Sequence, residues 1–186
     1  MPRTKAQGMI QAWIFLHPQN ADSISEIARR TRVDRLVVQR EVDNLAAAGL
    51  LSESWQGRSR LVSPNPTNPI VRPLTDALAI AYGPAFVVAE ELGGLPGIEE
   101  AFLFGSWADR YLGNPGEFPA DVDVLVVGTT DEDDLWDAGK RASERVGREV
   151  NMTRVRREDW ESGATSFIRT VKSRPMVDLT GDIHAG

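Results

Sequence analysis

Phe102-Leu103-Phe104-Gly105-Ser106-Trp107-Ala108-Asp109-Arg110, answered downstream by Asp121-Val122-Asp123-Val124-Leu125-Val126-Val127-Gly128, is the pair of segments that decides how this chain is read. The first predicts a strand, a Gly-Ser turn and the opening of a helix. The second predicts a strand carrying two carboxylates one residue apart. Side chains alternate across a strand, so Asp121 and Asp123 share a face. Neighbouring carboxylates repel, and a divalent cation held between them removes the repulsion. Gly105 lets a phosphate approach the backbone. Ser106 adds a hydroxyl, and the unsatisfied N–H groups of the following helix favour an anion. A phosphate cradle beside a carboxylate pair is the equipment for phosphoryl or nucleotidyl transfer.

The order Gly105-Ser106, short helix, Asp121-x-Asp123 resembles the nucleotidyltransferase superfamily typified by DNA polymerase beta, and within it the minimal nucleotidyltransferases. The resemblance covers about residues 98–181. It implies a small mixed sheet flanked by helices, with Asp121 and Asp123 as catalytic ligands of Mg²⁺ or Mn²⁺. It also implies that Gly105 and Ser106 hold the triphosphate of an NTP, whose NMP group goes to a hydroxyl acceptor. Arg110 either helps with phosphate charge or makes a structural ion pair.

Active members of that superfamily carry a third acid on the next strand, predicted here over 148–155. Asn151 stands at that position, and an amide is a poor base. Glu149, two residues earlier on the same face, either supplies the third, catalytic carboxylate or is an exposed strand acid. The departure still allows metal and nucleotide binding and puts transfer in question. The alternative is a domain that senses nucleotide without transferring it.

Upstream, Met9, Ile10, Trp13, Ile14 and Leu16 predict a helix over 8–17. Ser23-Ile24-Ser25-Glu26 is a capping-box pattern opening a helix to about residue 30. A tight turn at Thr31-Arg32-Val33 follows. Asp34 caps a third helix over 35–48, with Leu36, Val38, Val42 and Leu45 as its buried or partly buried positions and Gly49 as its stop. Residues 50–63 predict a β-hairpin. Ser23-x-x-Glu26-Ile27-Ala28-Arg29-Arg30, then Leu45-x-x-x-Gly49-Leu50-Leu51, resembles the bacterial ArsR/MarR-type winged helix-turn-helix regulators. That resemblance implies double-stranded DNA as partner. Arg35, Val37, Gln39 and Arg40 would meet base edges, and Arg58 and Arg60 on the wing would meet phosphates or the minor groove. The other use of such a module is protein–protein contact.

Between the modules, Pro64-Asn65-Pro66-Thr67-Asn68-Pro69 has rigid-linker composition, and helices are predicted over 70–82 and 85–92. They either make a homodimer or pack the modules together. The expected organisation is α/β of the α+β kind: a winged helix at 1–66, a linker and helical connector at 67–97, and a nucleotidyltransferase-like domain at 98–186. Residues 112–120 form a Gly/Pro-rich loop, either a rim over bound nucleotide or a surface connection. Asp131 caps a helix to about 146, and the acids at 131–134 suit its first turn. The tail predicts short helices at 158–160 and 166–172 and a last strand at 175–179, with Trp160 and Phe167 as core.

Composition sets the limits. The 186 residues include no cysteine, which excludes disulfides and thiolate zinc sites. No apolar run is long enough to span a bilayer, so no membrane partner is expected. Met1-Pro2-Arg3-Thr4-Lys5 lacks a secretory core, and a cytoplasmic protein is expected. The net charge of −6 is uneven: nine Lys/Arg against six Asp/Glu through Pro66, and 12 against 21 beyond it. A basic front and an acidic back suit two modules with different partners. By analogy, minimal nucleotidyltransferases often work in toxin–antitoxin pairs, which adds a toxin to the partner classes.

Overall fold

The computed structural model describes residues 2–114 and 118–184. It divides into two compact units, Met1–Gly83 and Pro84–Gly186. In the first unit, α1 (Lys5–Leu16) is buried on nearly every side, from Gly8 and Ile10 through Leu16. A helix apolar around most of its circumference belongs in the middle of a domain. Here α2 (Ile24–Thr31), α3 (Arg35–Ala47), β3 (Ser59–Pro64) and α4 (Val71–Tyr82) surround it. A Cβ placed on Gly8 would clash with the Tyr82 ring, so α1 and α4 meet where glycine leaves room for it.

The helix-turn-helix follows the capping chemistry. Ser23 Oγ accepts from the Glu26 backbone N–H at 3.2 Å, and Asp34 Oδ1 accepts from that of Leu36 at 2.8 Å. Hydrogen bonds from Arg29 and then Arg30 pull the Glu26 carboxyl down to about 2. The turn closes through Arg32 in the left-handed region at φ 54°. β2 (Leu51–Gln56) and β3 form the predicted hairpin, and a two-residue strand β1 (Asp22–Ser23) adds to β3, giving the order β1-β3-β2. Two residues carry no period, so β1 leaves no trace in the sequence pattern. Trp13 Nε1 donates to Asp22 Oδ2 at 2.9 Å and ties β1 to α1. The topology is a winged helix-turn-helix.

Among the described residues of this unit, Glu41 is an enclosed acid. Glu41, 5% exposed, accepts from Gln11 Nε2 at 2.6 Å and Gln7 Nε2 at 2.8 Å. Gln11→Leu removes one of these amides from a buried carboxylate. The expected loss, roughly 2 kcal/mol, reads out as a lower urea midpoint at unchanged slope. An unchanged midpoint would mean that solvent already satisfies Glu41.

The two connecting helices are shared out between the units. α4 joins the first core through Val71, Leu74 and Leu78, whereas α5 (Pro84–Leu92) packs on α7 (Glu132–Val146) in the second. The second unit is built on a four-stranded mixed sheet ordered β6-β5-β4-β7. β4 (Ile98–Phe104) runs antiparallel to β5 (Asp121–Gly128), and β6 (Glu149–Val155) runs parallel to β5. β7 (Val177–Asp178) is antiparallel to β4. One face packs on α7, where Gly139 approaches the Val150 carbonyl and Met152. The other carries Phe102, Phe104, Leu125, Val127 and Val155, covered by Trp160 of α8 (Arg157–Ser162) and by Ile168 and Val171 of α9 (Ser166–Lys172).

The chain end differs from expectation. The strand predicted at 175–179 shrinks to β7, and α10 (Thr180–His184) follows and packs on α5 and β4. Leu179, just before this helix, and Ile183 within it are both buried and lie four residues apart. Among the described residues no helix is long and apolar enough to cross a membrane.

Candidate functional site

β5 carries its carboxylates along a gradient of burial. Asp121 is exposed, Asp123 half-buried and Leu125 fully enclosed, all on one face by alternation. Across the sheet Phe104 pairs directly with Asp123, so the residue after it, Gly105, turns beside that carboxylate. A Cβ on Gly105 would sit 3.0 Å from Asp123 Oδ2. Gly105 holds φ 70° and ψ −148°, a conformation open essentially to glycine alone. It precedes α6 (Ser106–Tyr111), whose first residue, Ser106, is exposed. The two segments that decide the sequence reading therefore meet in space.

The parallel register of β5 and β6 sets Asp121 opposite Glu149 and Asp123 opposite Asn151. The register brings the Asn151 amide beside the Asp123 carboxylate. Burial, and then the charge of Asp121, push the Asp123 carboxyl above the usual carboxylate range, while Asn151 pulls the other way. Among the described residues no three His, Cys, Asp or Glu side chains form a group able to hold a metal ion. Asp121, Asp123 and Glu149 thus do not assemble the three-acid centre that the superfamily resemblance implies. Glu149 is exposed on the strand next to the pair. A pair of carboxylates still fits Mg²⁺, which is bound through one or two carboxylates with substrate phosphates and water filling the remaining positions.

Arg110 points to the loop. Its Nη1 donates to the Asn114 carbonyl at 3.2 Å, and its guanidinium lies 5.0 Å from the Phe118 ring centre. Arg148, absent from the sequence-based site, grips the loop's other end. It donates through Nε to the Pro119 carbonyl at 3.0 Å and lies 5.6 Å from the Trp107 ring, and burial lowers its pKa. Trp107 and Phe118 stack at 5.6 Å. Both described ends of the predicted rim are therefore anchored; its central residues 115–117 lie outside the described ones. Because β6 pairs with β5 from Glu149 onward, Arg148 falls beside the start of the carboxylate strand, a placement that only the register discloses. Phe167 is corrected as well. It is 41% exposed rather than core, and stands edge-on to Phe104 at 5.9 Å. Trp160 is buried as expected.

In the first unit, Arg35, Val37, Arg40 and Arg58 are exposed. Two further predicted DNA contacts are already engaged. Arg60 donates to Asp43 Oδ1 at 2.5 Å and to Glu53 Oε1 at 2.7 Å, and Gln39 Nε2 reaches both Asp43 oxygens at 3.1 Å. These bonds hold the Asp43 carboxyl below its usual range, Arg60 contributing most and Gln39 next. Arg60 accordingly braces the wing to α3. Leu36, expected on the buried side, is 68% exposed. The core side of α3 is formed by Val38, Val42 and Leu45, and 100° steps put Leu36 about 150° away from it.

No family model and no curated protein matches the chain. Solved structures do. The transcription regulator MepR of the Staphylococcus aureus multidrug efflux pump MepA is similar at 18% identity and TM-score 0.35, over 41% of this chain and 55% of that one. The S. aureus MepR–DNA complex matches with the same identity and TM-score over 41% of this chain and 61% of that one. BpsR of Bordetella bronchiseptica, in a structure describing regulation of its DNA binding by 6-hydroxynicotinic acid, matches at 23% identity and TM-score 0.32, over 46% and 74%. The chain thus spans little more than half the length of the two MepR chains.

Proposed function

We propose that this chain is a DNA-binding regulator whose second unit binds a metal–nucleoside triphosphate. The observation that carries the nucleotide half is the turn at Gly105 beside Asp123, where an added Cβ would lie 3.0 Å from Oδ2. A backbone without a side chain beside Asp123, followed by the exposed Ser106, supports a site shared with the Asp121/Asp123 pair. Asp121 and Asp123 would hold Mg²⁺ or Mn²⁺, which when bound neutralises phosphate charge. Gly105 admits the phosphates to the backbone, and Ser106 offers them its hydroxyl. Asn151, opposite Asp123 in the register, offers an amide there and not a base.

Transfer of the nucleotidyl group is the second reading, and Glu149 beside Asp121 favours it. Its carboxylate would take the proton of an acceptor hydroxyl while the oxygen bonds the α-phosphorus and pyrophosphate leaves. Incubation with α-labelled NTP and cell extract separates the two. Label lost from NTP to an acceptor by wild type, but not by Glu149→Gln, supports transfer; bound and unconsumed NTP supports sensing.

The winged helix supplies the DNA half, with Arg40 on the outward side of α3 and Arg58 at the wing tip. Arg58→Ala is expected to reduce the slope of log affinity against log salt by about one, the signature of a lost phosphate contact. Titration of a labelled duplex at several salt concentrations measures it. An unchanged slope with unchanged affinity removes the wing from the interface.

A further inference from the structure

The outward side of α3 begins with a leucine. Leu36 lies in the first turn, its backbone N–H held by the Asp34 cap, and its side chain is 68% exposed. Arg40 is one turn further along the same side, and Val37, 38% exposed, flanks it. Arg35 and the wing-tip Arg58 are exposed too. Asp43, the acid on this side, shares Arg60 with Glu53, so these three side chains together keep one negative charge against the three positive charges of Arg35, Arg40 and Arg58. The result is an exposed apolar spot, with Arg35 and Arg40 on the same helix, at the N-terminal end of the second helix of the motif. That end is the part of a helix-turn-helix that meets base edges in the major groove.

The apolar group displayed in the major groove is the thymine 5-methyl. We infer that Leu36, with Val37 beside it, reads thymine methyl groups and makes the chain select a thymine-containing site. This rests on the DNA-binding reading given above and goes beyond it. There, arginines supply affinity through phosphates and base edges; here, Leu36 supplies selectivity.

The test uses the full chain. A duplex is enriched from a randomised library with wild type, and each thymine of the enriched site is then replaced by deoxyuracil, which deletes only the methyl. At one or two positions the replacement should weaken wild-type binding about fourfold per methyl buried. In Leu36→Ala that penalty should vanish, while the slope of affinity against salt stays as in wild type, because no phosphate contact is lost. Leu36 is exposed, so the variant keeps its fold. A uracil penalty absent at every position, or one that persists in Leu36→Ala, overturns the inference and leaves DNA binding standing. Failure of wild type to bind any duplex overturns both. A Leu36-dependent shift from dimer to monomer in sedimentation, with no uracil effect, assigns the patch to a second copy of the chain and also overturns it.

Discussion

Asp123→Asn is expected to raise the melting temperature of the metal-free protein and to abolish its stabilisation by Mg²⁺–NTP. Both effects have one origin. Burial and the neighbouring Asp121 raise the Asp123 carboxyl above its unfolded value, so the folded chain binds this proton more readily than the unfolded one. The stability contributed by the group is therefore present below the ordinary carboxylate range and is lost as pH rises through the folded value. At neutral pH an ionised Asp123 is a cost, and asparagine removes it. A rise of roughly 1–3 °C is expected, shrinking as pH falls towards the carboxylate range. The same charge is what would hold the cation. At ligand concentrations a hundredfold above Kd, wild type should gain about 5–10 °C and the variant nothing. Scanning calorimetry with and without Mg²⁺–ATP reads both signs. A metal-free variant that melts lower than wild type would mean that Asp123 serves the fold rather than a ligand.

Gly105→Ala should damage fold and site together. The backbone at φ 70°, ψ −148° costs a residue with a side chain about 1–3 kcal/mol, and the new methyl would press on Asp123 Oδ2 from 3.0 Å. The second unit should melt several degrees lower, and nucleotide binding should fall at least tenfold. Ser106→Ala separates the two effects. Ser106 is exposed and its loss leaves the backbone unstrained, so affinity should fall by severalfold at unchanged melting temperature. Wild-type nucleotide affinity in Gly105→Ala would show that phosphates do not approach this turn.

Much of the architecture is legible in the sequence because its signals are local. Caps at Ser23, Asp34 and Asp131 and apolar periods in α3 and α7 depend on neighbours within four residues. The carboxylate pair is legible for the same reason, since alternation alone puts Asp121 and Asp123 on one face. What escapes is set by pairing between distant segments. Asn151 opposite Asp123, and Arg148 gripping Pro119, follow from the β5/β6 register. The engagement of Arg60 by Asp43 needs the hairpin folded against α3. Leu36 is a different case. Its outward direction follows from the spacing of Val38, Val42 and Leu45, and reading leucine as core by type alone overrides that geometry. α10 is similar, since Leu179 and Ile183 have helical spacing in a segment too short to stand without its packing.

Titration of Mg²⁺–ATP and Mg²⁺–GTP by calorimetry into wild type and the Asp121→Asn/Asp123→Asn double variant tests the central claim most directly. Saturable, metal-dependent binding to wild type that disappears in the folded double variant is the predicted result. Absence of binding to wild type, or equal binding to both, would contradict a nucleotide site on β5.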